Sequence, residues 1–314
     1  MANGKTSLRA LIADPLSARG REILADGGRV EVVVSDTISA SDLLSAIPEF
    51  HALVVRSRTK VTREVIARGQ SLRVIGRCGV GLDNIDVAAA KERGVAVVAA
   101  AGASAVSVAE LTLGLMLSLA RRIPEADASM RAGKWERSRF MGQELAGRTL
   151  GVIGLGHIGR QVARRALAFD MKVLYHDPFL PPGAGQDVGA EDRPLKELLE
   201  TADVIVIHVP LSQETRRLID EEALRRMPRG AWVVNVSRGG IVDETALLAA
   251  IRSGHLGGAA LDVFETEPPV GSELLSEPRV ILTPHIGAST NEAQERAGIE
   301  VARRVIEVLR STGS

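Results

Sequence analysis

The sequence predicts an α/β fold with two doubly wound parallel sheets. Short β-branched apolar runs alternate with helix-like segments along the whole chain. A strand, a glycine turn, a helix and a second strand that ends in an acid also follow one another over residues 149–177. Alternation of this kind builds parallel sheets covered by helices on both faces. At 314 residues the chain has material for two such domains.

The first sheet is predicted from residues 1–98. Its apolar runs lie at 8–12, 30–34, 52–55, 74–75 and 95–98, with helix-like segments at 16–25, 40–47, 62–68 and 85–93. A small-residue junction, AAAGAS, follows at 99–104. The helix predicted at 106–119 is apolar nearly all round, so we expect it to be buried between domains or subunits. The charged segment 124–147 is interpreted as an arm that reaches a partner subunit.

The second sheet is predicted over residues 149–283. Further strands are expected at 204–207, 231–236, 258–261 and 280–282, with helices at 195–200 and 220–227. A final helix at 290–309 has no strand after it, so we expect it to pack on the first domain. We therefore predict a substrate domain at 1–100 and 286–314, with flavodoxin-like topology, and a Rossmann-type cofactor domain at 101–285 inserted in it.

The glycine turn indicates a dinucleotide site. Gly154, Gly156 and Gly159 form G-x-G-x-x-G directly after an apolar strand. These glycines allow a tight turn, approach of a pyrophosphate and close packing of helix on strand. Asp177 ends the next strand, where an acid binds ribose hydroxyls and would repel a 2′-phosphate. NAD is therefore predicted rather than NADP; the alternative is a glycine turn that only packs a helix on the sheet.

Composition excludes several classes of function. Lys and Arg number 39 and Asp and Glu number 39, so the formal net charge is +0 and neither a nucleic-acid nor a membrane partner is expected. Cys78 is the only cysteine, so no internal disulfide is possible. The N-terminus carries no apolar signal core, and no metal site is predicted. We expect a soluble cytoplasmic protein.

Charged residues follow the predicted strands. Arg56, Arg77, Arg238, Asp262 and His285 all fall just beyond strand ends, where doubly wound sheets bind ligands. With a nicotinamide cofactor the reaction is hydride transfer, which needs a proton donor or acceptor on the substrate oxygen, and His285 is the candidate. Five other histidines compete for this role: His51, His157, His176, His208 and His255.

Two further side chains complete the predicted chemistry. Glu267 would orient His285, unless it is an exposed loop acid. Arg238, flanked by glycines, suits bidentate capture of a substrate carboxylate, and its alternative role is a loop salt bridge. Arg58 and Lys60 fit a solvated basic loop at least as well as a site.

Seven segments together resemble the D-isomer-specific 2-hydroxyacid dehydrogenase family. They are VVRSRTKVT, GRCGVGLDNID, GKWERSRFMGQEL, GVIGLGHIGRQVA, VNVSRGGIVDETAL, ALDVFETEPP and LTPHIGAST, and they span nearly the whole chain. Within the family, the resemblance is strongest to members that oxidise D-3-phosphoglycerate in serine biosynthesis.

The resemblance implies residue roles. Arg238, Glu267 and His285 fall on the catalytic positions. Arg56, Arg77 and Arg137 fall on arginines that hold the substrate phosphate, and Val80 and Gly81 are expected to bind its carboxylate through backbone N–H groups. Further cofactor contacts are implied for His157, Ile158, Pro210, Thr215, Ser237, Asp262 and Gly287. Family members are usually homodimers or homotetramers.

Three departures from the family pattern stand out. The hinge reads Ala99-Ala100-Ala101, with Ser104 where an Asn is common. His157 replaces a common arginine in the glycine loop. The sequence stops after the last helix, so serine feedback through a C-terminal regulatory domain is not expected. Two alternatives stay open: a glyoxylate or hydroxypyruvate reductase, and a non-enzymatic NAD-binding corepressor with the same fold.

Overall fold

The computed structural model describes residues 8–311, which form two sheets in which every strand pair is parallel. The strands are β1 Leu8–Ile12, β2 Val30–Val34, β3 Ala52–Val55, β4 Val74–Arg77, β5 Ala96–Ala99, β6 Thr149–Ile153, β7 Lys172–His176, β8 Glu191–Asp192, β9 Val204–Ile207, β10 Trp232–Asn235, β11 Gly258–Leu261 and β12 Val280–Leu282. The prediction of a two-sheet α/β fold is confirmed.

Eleven α-helices lie between and after these strands in the described part of the chain. They are α1 Ala18–Leu24, α2 Ala40–Ala46, α3 Arg63–Arg68, α4 Val87–Glu92, α5 Ala105–Arg121, α6 Ile123–Arg131, α7 His157–Leu167, α8 Leu195–Thr201, α9 Glu221–Arg226, α10 Glu244–Arg252 and α11 Asn291–Ser311. Most begin at a Ser, Thr or Asp whose side chain accepts a hydrogen bond from a first-turn N–H, which satisfies an otherwise unpaired donor.

The chain divides into two compact units. One takes in the chain up to Ser104 and from Ala288 onward. Its five-stranded sheet has the order β2-β1-β3-β4-β5, and α1 and α11 pack together against one face. A Cβ added at Gly76 in β4 would lie 2.6 Å from Val301 of α11, so the absence of a side chain there lets the helix seat on the sheet.

The other unit is Ala105–Gly287. Its seven-stranded sheet has the order β12-β11-β10-β9-β6-β7-β8, which is the dinucleotide-binding order with its switch point between β6 and β9. One core cluster includes residues of α5 and α7, and a second includes residues of α8, α9 and α10. The central strands β9, β10 and β11 are buried throughout, as expected for parallel strands covered on both faces.

Several element predictions were wrong in detail. The strand predicted at 74–75 extends to Arg77. Gly76 and Arg77 are not part of the apolar run, but both still pair with β3. The segment interpreted only as a charged arm contains α6, and α10 was not predicted at all. Within residues 8–311, none of the helices combines the length and the hydrophobicity that a membrane-spanning segment needs.

Candidate active site

The glycine loop after β6 leaves room for a cofactor. A Cβ on Gly154 (φ 92°) would lie 2.8 Å from the carbonyl oxygen of His208, and one on Gly159 would lie 2.1 Å from the carbonyl oxygen of Gly154, so neither position accepts a side chain. Gly156, by contrast, has nothing within 4 Å of its Cβ position, and as the N-cap of α7 it offers no side-chain cap. A helix N-terminus without a side-chain cap, next to a glycine with open space at its Cβ position, suits a pyrophosphate.

The acid after β7 is held beside this loop. One carboxylate oxygen of Asp177 accepts from the N–H of Leu155 at 3.0 Å, and the other accepts from the N–H of Phe179 at 3.1 Å. Each oxygen keeps a lone pair for a ribose hydroxyl. The open space over Gly156 and the fixed acid together fit NAD.

His285 and Glu267 form a direct pair. Nδ1 of His285 lies 2.8 Å from one carboxylate oxygen of Glu267, whose other oxygen accepts from the N–H of Phe264 at 3.2 Å. A carboxylate at Nδ1 fixes the tautomer that protonates this nitrogen and leaves Nε2 as a proton acceptor. Both side chains are part-exposed, 48% and 38%, so a substrate can reach them.

Asp262 holds the segment that carries His285. Its fully buried carboxylate accepts from the hydroxyl of Thr283 at 2.6 Å and from the N–H groups of Ile286 and Gly287, each at 2.8 Å. His285 itself has a left-handed backbone, φ 53°, which a non-glycine residue adopts only when its surroundings impose it. Asp262 therefore positions the histidine. Its predicted role near the nicotinamide stays a prediction.

The loop that carries Arg238 is held by hydrogen bonds of Asn235 and by a close backbone contact at Gly239. The amide of Asn235 donates to the carbonyl of Arg238 at 2.9 Å and accepts from the N–H and hydroxyl of Ser237. Next to it, a Cβ on Gly239 would lie 1.7 Å from the carbonyl oxygen of Phe264, so the two backbones touch. Because Phe264 also binds Glu267, the arginine loop and the His285–Glu267 pair share one backbone support.

The first unit carries a second set of predicted residues. The buried carboxylate of Asp14 accepts from the N–H groups of Arg56 and Thr59, at 2.6 and 3.2 Å, and pairs with Arg58 at 3.0 Å. Arg58 also donates to backbone carbonyls, which makes it structural. The side chain of Arg56 makes no hydrogen bond or ion pair within the described residues. Arg77 lies with its guanidinium against Gly79.

Comparison with known proteins identifies the family. Residues 113–287 match the model of the D-isomer specific 2-hydroxyacid dehydrogenase NAD binding domain. The chain belongs to the D-isomer specific 2-hydroxyacid dehydrogenase family. It is 50% identical to D-3-phosphoglycerate dehydrogenase of Methanocaldococcus jannaschii, covering 96% of this chain and 58% of that protein. It is also 46% identical to hydroxypyruvate reductase of Thermotoga maritima, covering 96% and 98%.

A solved glyoxylate reductase from Paecilomyes thermophila has the same fold, with a TM-score of 0.88 and 32% identity over 98% of this chain and 97% of that one.

The relatives differ in length. The chain spans 58% of the phosphoglycerate dehydrogenase and 98% of the hydroxypyruvate reductase. The predictions of the family and of NAD as the cofactor of its binding domain are confirmed.

The remaining predicted residues lie on loops and helix starts. Arg137 begins a short 3-10 helix, Arg137–Phe140, is exposed, and has no hydrogen bond or ion pair among the residues described. The hydroxyl of Thr215 donates to the carbonyl of Pro210 at 2.7 Å, which closes the loop after β9. His157 is exposed at the first turn of α7. No cluster of three potential metal ligands occurs within residues 8–311.

The structure draws attention to His208, which the sequence analysis named only as a competitor of His285 for the role of proton acceptor. It follows β9 directly, and burial lowers its pKa to about 3 from an ordinary value of 6.5. Between these two values the unfolded chain binds a proton that the folded protein does not, so stability falls as the pH falls below 6.5.

From this linkage we expect His208 alone to reduce the free energy of unfolding by about 2 kcal/mol between pH 7 and pH 5. A His208→Leu variant, which has no titratable group there, should lose correspondingly less. Urea unfolding of both proteins at the two pH values measures the difference. Equal losses in the two proteins would contradict the burial of a neutral imidazole.

Proposed function

We propose that this dehydrogenase oxidises D-3-phosphoglycerate to 3-phosphohydroxypyruvate with NAD, the first step of serine biosynthesis. The observation that carries the proposal is the His285–Glu267 pair at 2.8 Å in an NAD-binding domain. The 50% identity to a phosphoglycerate dehydrogenase supports the substrate. We place the reaction in the cytoplasm, which the single cysteine supports.

In the proposed reaction each residue has a defined task. Arg238 binds the substrate carboxylate, together with the backbone N–H groups of Val80 and Gly81. Nε2 of His285 takes the proton of the 2-hydroxyl, and Glu267 stabilises the imidazolium that forms. NAD held at the glycine loop beside Asp177 would supply the acceptor for the hydride from C2.

The phosphate end is assigned to arginines. Arg56 and Arg137 are each without an ion pair in the described part of the chain, and Asp14 holds the loop that presents Arg56. A free guanidinium on a fixed loop suits a phosphate, which it can bind with two hydrogen bonds. Arg77 is proposed as a third ligand of the same phosphate.

The test compares NADH consumption with 3-phosphohydroxypyruvate, hydroxypyruvate, glyoxylate and pyruvate. We expect the phosphorylated acid to have a kcat/KM at least about 10²-fold above the others, since it gains several charge-assisted hydrogen bonds. Arg56→Gln and Arg137→Gln should each raise its KM about tenfold or more and leave the value for hydroxypyruvate within about twofold.

Arg139→Gln is the matched control, because Arg139 lies in the same 3-10 helix but pairs with Glu136 at 3.0 Å. It should leave the substrate preference unchanged. A preference for hydroxypyruvate or glyoxylate in the wild type would instead support a second candidate function. That candidate is favoured by the 46% identity to a hydroxypyruvate reductase of matching length.

We also infer a homodimer that is formed through the arm. Met130, Trp135 and Met141 of the arm are exposed by 53%, 75% and 82%, and Ile123, which directly precedes the arm, is exposed by 49%. Apolar side chains grouped in one exposed segment are typical of a contact surface, and a second copy of this chain is the partner that the family resemblance implies. Sedimentation at micromolar concentration tests this, and a 33.3 kDa species would contradict it.

A further inference from the structure

His208 lies where the sheet order reverses. It directly follows β9, which pairs with β6, and the glycine loop directly follows β6. The N–H of His208 donates to the carbonyl of Ile153 at 2.8 Å, and its own carbonyl sits against Gly154. In doubly wound sheets the ligand binds in the crevice at this switch point.

The imidazole of His208 has no partner in the described residues. The residue as a whole is part-exposed, but both ring nitrogens, Nδ1 and Nε2, are buried and make no hydrogen bond. At neutral pH the ring is uncharged, since burial lowers its pKa to about 3. One nitrogen therefore carries a proton to donate and the other a lone pair to accept, and leaving both unused is costly.

The other histidines in the described part of the chain behave differently. Nδ1 of His51 accepts from a backbone N–H, while ring nitrogens of His176 and His255 contact backbone carbonyls at 3.1 and 3.0 Å. His285 contacts Glu267, and His157 is exposed to solvent. Only His208 combines burial with unused ring nitrogens, and buried polar groups of this kind call for a partner from outside the chain.

We propose that His208 is a cofactor-binding residue whose imidazole hydrogen-bonds an oxygen of the ribose–pyrophosphate part of NAD. That part of the dinucleotide offers hydrogen-bond partners for both ring nitrogens. Pyrophosphate oxygens accept hydrogen bonds, and ribose hydroxyls both accept and donate them. Turning the ring toward a bound ligand would break no hydrogen bond of the described residues. The inference rests on NAD binding by the family's cofactor domain and does not depend on the substrate proposed above.

His208→Leu tests the proposal through binding and stability, without turnover. Leucine has a similar size and no polar atoms. The apo protein should keep or raise its Tm at pH 7.5, because an unsatisfied buried group is removed. The Kd for NADH should rise about tenfold, and the Kd for ADP-ribose should rise in parallel since it carries the same oxygens. The rise in Tm on adding NADH should shrink accordingly.

His255→Leu is the matched control. Its ring nitrogen contacts the carbonyl of Leu224 in the same unit, so the variant should lose Tm and bind NADH normally. His208→Asn places a polar atom near the position of Nδ1, and His208→Gln places one near Nε2, so at least one of them should restore affinity.

An unchanged Kd for NADH in His208→Leu, or a loss of apo Tm like that of the control, would overturn the proposal in favour of a histidine satisfied by buried water. A loss for NADH but not for ADP-ribose would overturn the assigned part of the cofactor. If His208→Leu does not fold, His208→Phe, whose ring also has no polar atom, takes its place, and an unchanged Kd for NADH in that variant is the contradicting result. Wild-type NADH binding measured alongside separates these outcomes from a failure of the dehydrogenase assignment.

Discussion

Replacing His285 with alanine should lower kcat by about 10²- to 10⁴-fold, the range that a positioned general base contributes. The Nδ1–Glu267 contact at 2.8 Å leaves the lone pair of Nε2 as the proposed acceptor of the hydroxyl proton, and alanine removes it. Affinity for NADH should stay within about twofold, because the predicted cofactor contacts centre on the glycine loop. Single-turnover kinetics and NADH titration measure the two quantities.

Replacing Glu267, the carboxylate partner of His285, tests the same mechanism through the tautomer of the imidazole. Glu267→Gln should lower kcat by about 10²-fold or more, because an amide can donate to Nδ1 and hold the wrong tautomer. Glu265→Gln, two residues away in the same loop and exposed, is the control and should keep normal turnover. Near-normal turnover in His285→Ala would remove the proposed base from the mechanism.

Much of this site could be predicted because its signals are local. The glycine turn, the strand before it and Asp177 lie within about thirty consecutive residues and follow known periodicities. His285 and Glu267 are only 18 residues apart. In both cases the residues that act together lie close in the sequence, so a local pattern is enough to name them.

The supports of the site could not be predicted, because they join distant parts of the chain. Asp14 holds the loop at Arg56 across 42 residues, and Asp262 holds Ile286 across 24. Nothing in the sequence marks Asp14 as buried. Asp262 was predicted as a charge beyond a strand end and as a cofactor contact, but not as the support of the segment that carries His285. His208 was missed for the same reason: whether its ring nitrogens have partners depends on what packs around the end of β9.

Gly239 brings the loop of Arg238 into contact with the segment that supports Glu267. A Cβ on Gly239 would lie 1.7 Å from the carbonyl oxygen and 2.2 Å from the carbonyl carbon of Phe264, and both are backbone atoms that no side-chain rotation can move. Gly239→Ala must therefore push the Arg238 loop away from the segment that supports Glu267. We expect kcat/KM to fall at least about 10²-fold, as displacements of about 1 Å at a reacting centre do.

The same substitution should also lower the free energy of unfolding by about 1–3 kcal/mol, the usual cost of overpacking. Gly114→Ala is the control: its Cβ meets nothing within 4 Å inside α5, so alanine should keep activity and, by its better helix propensity, keep or raise Tm. Steady-state kinetics and thermal unfolding of the two variants separate a general intolerance of alanine from this contact. A stable and active Gly239→Ala enzyme would mean that the Arg238 loop and the His285–Glu267 pair are held in register by something other than the contact with Phe264.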